Sequence, residues 1–170
     1  MTLEKIFLDF SVRKLGLLSS RLTDCLGRLS HEQVWSRGGE SENAVGNLVL
    51  HLCGNVRQWI ISGIGGAEDV RDRAAEFAAK GGVSVNELRG LLAATVADAC
   101  RVIEGVSKER LGQRLTIQGY DVTVLEAIYS VIEHFAQHTG QVIYGTKAMT
   151  GSDLGYYSHL SKRAHGEKTP

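Results

Sequence analysis

YSVIEHFAQHTGQVIYG, residues 129–145, is an apolar run interrupted by two histidines four positions apart. Around them Leu125, Ile128, Val131, Ile132, Phe135 and Val142 recur at spacings of three and four. That period marks a helix with one face in a core. Thr123 followed by Glu126 forms a capping box, so the pattern predicts a helix over residues 124–149. On it Glu126, Ser130, His134 and His138 stack as one polar column, because residues four apart lie about 6 Å from each other. Gln141 continues the column at spacing three.

The same reading extends upstream. Leu3, Ile6, Phe7, Phe10, Leu18, Leu22, Cys25, Leu26 and Leu29 predict a helix over residues 3–29. Ser30 with Gln33 caps a short turn ending near Trp35, and residues 36–41 form a loop. Ser41 is the expected cap of a second long helix, residues 42–62, closed by the glycines of SGIGG. Ser84 with Glu87 opens a third, residues 85–105. LTIQGYDVTV, residues 115–124, reads as a small hairpin or an extended connection. The only proline is Pro170, so nothing inside the chain breaks a helix. Four long helices without a strong strand pattern predict an all-α four-helix bundle over residues 1–155 and a tail over 156–170.

The second helix carries its own polar column, Asn43, Asn47, His51 and Asn55, set among leucines and valines. A buried histidine without a partner costs about 1–3 kcal/mol. Three imidazoles meeting in a bundle satisfy one another poorly, whereas a divalent metal satisfies all three. His134 and His138 can bind one ion from adjacent turns, and His51 can complete the set from a facing helix. Three protein ligands with a position left to water is the pattern of a catalytic zinc-type site. The alternative is three unrelated, hydrogen-bonded histidines. HFAQH lacks the glutamate of HExxH, so the zinc-protease base is missing. No Glu-x-x-His occurs, against a ferritin-like di-iron site. A bis-histidine haem would leave one histidine unused. Three imidazoles suit zinc, nickel, copper or iron.

The totals narrow the partners. Lysine plus arginine and aspartate plus glutamate both number 19 in 170 residues, which argues against nucleic acid or an anionic membrane. Three cysteines without paired spacing do not form a disulfide framework. MTLEKIFLDF is not a signal peptide, and no apolar run approaches the ~20 residues that span a bilayer. The expectation is a soluble protein of the reducing cytoplasm.

NLVLHLCGNVRQWI (residues 47–60), the glycine-led RDRAAEF connector (71–77) and EHFAQHTGQVIY (133–144) together resemble the DinB-like, or YfiT-like, superfamily of metalloenzymes. The resemblance covers about residues 1–155. It implies an up-down-down-up bundle, a homodimer, and one nickel, zinc or iron ion per chain held by His51, His134 and His138. It also implies thiol-dependent S-transferase or isomerase chemistry on a small-molecule substrate, with a low-molecular-weight thiol as partner.

Beyond the triad, Asn47, Asn55 and Gln141 are candidates to orient the ligands or to bind substrate. Arg57, on the second helix, and Arg73, with Arg71 and Glu76 on a connector that could close over the site, are further candidates, an arginine gripping a substrate carboxylate. The connector's charged composition favours instead a solvated helix with ion pairs along it. Glu133 neighbours a ligand but points about 100° away, a poor general base. Cys53 faces away from the column and reads as core filling, and Gly140 and Gly145 read as sites of close helix approach. The expected function is metal-dependent activation of a thiol, S-transfer above all, or of water for hydrolysis. The alternatives are a non-catalytic metal-binding or stress-response homodimer and a plain helical domain.

Overall fold

Capping and apolar period together set the helix boundaries in the computed structural model, which describes residues 2–161 with Gly166 and Thr169. Helix α1 (Leu3–Arg28) starts from Thr2, and α2 (His31–Trp35) from the Ser30/Gln33 capping box. Helix α3 spans Val45–Val56, α4 Arg73–Ala78, α5 Val85–Glu104 and α6 Val124–Thr150. The capping boxes of α5 and α6 are those of Ser84 and Thr123. The protein is an all-α bundle of four long helices. Helix α1 packs on α5 and α6, and α3 packs on the same two. The core between them is filled by residues such as Leu15, Leu22, Leu52, Leu92, Ile128 and Phe135. Leu3, Ile6 and Phe10 lie outside it, on the exposed first turns of α1.

Three details depart from the sequence expectation. Ser41 does not cap α3. The helix begins at Val45, where the Asn47 side-chain oxygen accepts the Ala44 N–H at 3.2 Å. At its other end α3 does not stop near residue 62 but widens into a π-helix, Arg57–Ile64, closed by Gly65, whose N–H donates to the Ile60 carbonyl at 2.8 Å. A π turn adds a residue per turn and re-aims the side chains beyond it, a feature frequent at functional sites. The glycine expected to admit a neighbour is also a different one. A Cβ at Gly140 would meet nothing within 4 Å and one at Gly145 only the Met149 methyl at 3.9 Å, whereas one at Gly46 would lie 2.9 Å from the Trp35 ring.

Residues 114–123 form the small hairpin. Strand β1 (Arg114–Ile117) pairs antiparallel with β2 (Tyr120–Thr123). Its turn places Gln118 at φ 53° and Gly119 at φ 80°, the two positive values of a type I′ hairpin. The Gln118 side chain accepts the Trp59 indole N–H at 3.1 Å, which fastens the hairpin to the π segment. Of the tail expected over residues 156–170, residues 162–165, 167, 168 and 170, including His165, lie outside the described residues. The described part contains a short 3₁₀ turn, Ser158–Ser161. Among the described residues no helix is long and apolar enough to cross a membrane.

Trp35 is held against Gly46 by its indole N–H, which donates to the Val83 carbonyl at 3.1 Å. A methyl at position 46 therefore overpacks a fixed ring, at a cost of about 1–3 kcal/mol. Gly46→Ala should lower the melting temperature by several degrees, at roughly 2–4 °C per kcal/mol for a chain of this size. A thermal melt by circular dichroism checks this, and an unchanged midpoint would show that Trp35 yields freely.

Candidate metal centre

Facing turns of α3 and α6 bring His51, His134 and His138 together, each with a ligand nitrogen within 4.8 Å of the others. His134 Nε2 lies 3.1 Å from His51 Nε2 and 3.0 Å from His138 Nε2. The three rings stand nearly perpendicular to one another, at 78°, 88° and 90°. His51 is buried and the other two are half-buried.

The outer nitrogens decide what the inner ones present. His51 Nδ1 lies 3.0 Å from Glu76 Oε2 and His138 Nδ1 lies 2.7 Å from Gln141 Oε1. A carboxylate and an amide oxygen only accept, so both Nδ1 atoms carry the proton and both Nε2 atoms carry a lone pair. Arg71 Nη2 also approaches His51 Nδ1, at 3.1 Å. That contact follows from its grip on Glu76, because an unprotonated Nδ1 would set its lone pair against the carboxylate. His134 can supply at most one proton through Nε2 for two facing lone pairs, and its Nδ1 is buried with no partner among the described residues. One cation resolves this frustration. Nitrogen ligands at about 2.05 Å around a tetrahedral ion lie roughly 3.3 Å apart, close to the observed spacing. The donor set therefore fits a transition metal.

Burial and neighbouring positive charge disfavour protonation of His51 and His134. Burial is the largest influence lowering the His51 pKa, opposed by Glu76 and reinforced by His138 and Arg71. Burial first, then the neighbouring charges of His138, His51, Arg71 and Arg73, carry His134 down to about 4. Neutral imidazole is the form that binds metal.

Glu76 and Arg71 correct the reading of the connector as a solvated ion-paired helix. Their side chains are only 9% and 3% exposed. Arg71 donates from Nε to Glu76 Oε1 at 2.7 Å and from Nη2 to Oε2 at 2.9 Å, a bidentate grip. Gln58 accepts from Arg71 at 2.9 Å, while its amide nitrogen donates to Asp69 at 2.7 Å. The connector is thus packed over His51. Gly54, one turn beyond His51, makes room for it: a Cβ there would lie 1.9 Å from Glu76 Oε1. A glycine in an otherwise apolar helix was the sequence signal for this close approach.

The other candidates separate. Gln141 reaches His138 directly. Asn47 holds the connector: its amide donates to the Glu76 and Ala79 carbonyls at 2.9 and 2.8 Å. With Arg37, which donates to the Phe77 carbonyl at 2.9 Å, it satisfies the open C-terminal end of α4. Arg73 and Asn55 line a cavity of about 450 Å³ that opens on His51 and His134, walled by Trp59, Tyr120 and Val122. Arg57 is not part of that cavity; it borders a separate one of about 310 Å³ beyond Arg71 and Glu76. Glu133 lines the larger cavity despite its angular offset and accepts a hydrogen bond from Gln137. Cys53 is buried core, its thiol pushed up to about 12 by burial.

The bundle has a DinB-like fold, with the histidine cluster held between two of its helices. The chain belongs to the family described as a protein of unknown function (DUF1572), whose model matches residues 4–161. No curated protein matches it. Among solved structures, a conserved protein of Enterococcus faecalis superposes with a TM-score of 0.70 at 17% identity, covering 89% of this chain and 99% of the other. The DinB-like protein YjoA of Bacillus subtilis gives 0.67 at 16% identity, covering 86% and 96%. A histidine-to-alanine mutant of a mycothiol-dependent maleylpyruvate isomerase gives 0.63 at 17% identity, covering 84% of this chain and 63% of that one. At these identities the likeness is one of fold.

Protonating the cluster opposes folding in metal-stripped protein. His134 titrates at about 4 when folded, against roughly 6.5 in an unfolded chain. Between these values the unfolded state binds more protons, so unfolding free energy rises with pH. The stabilisation is complete above about pH 6.5 and is lost as pH falls toward 4. His51, also lowered, acts with the same sign. Denaturant midpoints of metal-stripped protein should decline across that window, and less steeply in His134→Ala.

Proposed function

We propose that the protein is a metal-dependent enzyme in which His51, His134 and His138 hold one divalent transition ion, nickel, zinc or iron, and that it acts by S-transfer from a small thiol to an electrophile. The observation that carries this reading is the convergence of three Nε2 atoms while Glu76 and Gln141 hold two of the opposite ring nitrogens. Such an ion, when bound, supplies Lewis acidity that lowers the pKa of a coordinated thiol or water toward neutrality.

The chain's own residues do the rest. Glu76 accepts the His51 Nδ1 proton, which orients the ring and makes Nε2 a stronger donor. Arg71 fixes Glu76, and Gln141 fixes the His138 ring. Trp59, Tyr120 and Val122 offer an apolar wall to the substrate body. The Arg73 guanidinium lies 4.9 Å over the Phe77 ring at the cavity edge, placed to take a substrate carboxylate. Residues 1–155 carry this activity, and we take its setting to be a cytoplasmic homodimer.

One observation favours hydrolysis as a second reading. The Glu133 carboxylate borders the cavity and could serve as the base for a water. A Glu133→Gln variant that keeps thiol transfer but loses ester hydrolysis would support it.

Elemental analysis of tag-free protein tests the metal. The parent should hold about one equivalent, and His51→Ala and His138→Ala should hold none. Absence of metal in the parent, even after reconstitution with nickel, zinc and iron, overturns the proposal. Glu76→Gln should weaken metal affinity by about 10–100-fold, measured by chelator competition. Unaltered affinity would reduce Glu76 to a structural role.

A further inference from the structure

Asn55 lies on α3 one turn beyond His51, on the wall of the same cavity. Its side-chain oxygen is buried and has no hydrogen-bond partner among the described residues. Buried polar atoms are nearly always partnered, and leaving one unpartnered costs stability. Neighbouring polar groups of the cavity are engaged elsewhere: His51 with Glu76, Arg71 with Glu76 and Gln58, and the Gln118 oxygen with the Trp59 indole. None of them turns to Asn55.

We propose that Asn55 is a specificity-determining residue of this cavity, its amide oxygen accepting an N–H or O–H from the bound small molecule. The inference rests on the metal reading above. Residues one turn apart have Cβ atoms about 6 Å apart, so a ligand with one atom at the histidine cluster reaches Asn55 with a group two or three bonds away. The ligand class is therefore a small molecule with a hydrogen-bond donor two or three bonds from its metal-directed atom and an apolar body against Trp59 and Tyr120. An isostere lacking the donor leaves the oxygen unpartnered and is rejected, the asymmetry by which buried polar groups discriminate.

A matched pair of thiols tests this. N-acetylcysteamine carries an amide N–H beyond its thiol, and 2-mercaptoethyl acetate replaces that N–H with an ester oxygen. Affinities for the nickel-loaded protein are read from the thiolate-to-metal absorption band. The parent should bind the amide about tenfold more tightly than the ester, a difference of about 1.4 kcal/mol. Asn55→Leu should abolish the preference with metal content unchanged, and Asn55→Asp, which keeps an acceptor, should retain it. Should Asn55→Leu not fold, the parent and Asn55→Asp carry the comparison. Equal affinities in the parent, or a preference that survives in Asn55→Leu, overturn the inference alone. A parent that takes up no metal overturns the underlying reading, and this inference with it.

Discussion

The buried carboxylate of Glu76 is the group around which the site is organised. Removing a charge from water is costly unless it is paired and hydrogen-bonded on every side. Here Arg71 grips both oxygens and His51 donates to one of them. Losing a single partner of such a buried cluster typically costs about 3–5 kcal/mol, so the arrangement is held or lost as a unit. That requirement propagates outward. The connector must lie against α3, Gly54 must lack a side chain, and Asn47 and Arg37 must close the end of α4. An element that is charged and short enough to be solvated is thereby fixed in place.

The same cluster settles the chemistry of the imidazoles. Two rings are tied back through Nδ1, so their Nε2 lone pairs point inward together. Burial above all, with the neighbouring imidazoles and the charges of Arg71 and Arg73 adding to it, disfavours protonation of His134 and keeps the third lone pair available. Such a site is unfavourable for a proton and favourable for a metal cation. The difference is one of geometry: a proton bridges two nitrogens, whereas a metal ion at the centre engages all three at once.

The sequence disclosed what depends on local period. Four long helices, three capping boxes and the polar columns of α3 and α6 follow from spacings of three and four, because a helix converts spacing directly into a face. His51, His134, His138 and the contact of Gln141 were visible in this way. Glu76 and Arg71 were visible only as part of a connector that could close over the site, with a solvated helix favoured, because charged residues in an alanine-rich segment normally face water and their burial is set by partners far away in the chain. The π-helix was hidden for a related reason. Its buried residues Trp59, Ile60 and Ile64 keep a helical spacing, so nothing in the local pattern separates a π turn from an α turn. Asn47 was placed on the correct face, but its role in holding the connector depends on carbonyls some thirty residues ahead.

The cavity draws its walls from both the bundle and the segments around it. Its histidines stand on α3 and α6, inside the bundle, with Asn55, Ser130, Val131 and Glu133 on the same two helices, while its other walls come from the connector with Arg73, the π segment with Trp59, and the hairpin with Tyr120 and Val122. Bundle cores accept extensive exchange of apolar residues when volume and pattern persist, which accounts for closely similar folds at 16–17% identity. Among the outer walls the hairpin is the least constrained, with Tyr120 exposed to solvent. A change at an exposed hairpin residue such as Tyr120 alters the cavity wall without touching the helices that hold the three nitrogens. Likeness of fold therefore bears on the bundle that carries the three histidines, whereas what the cavity can admit is set by Asn55, Arg73 and the walls around them.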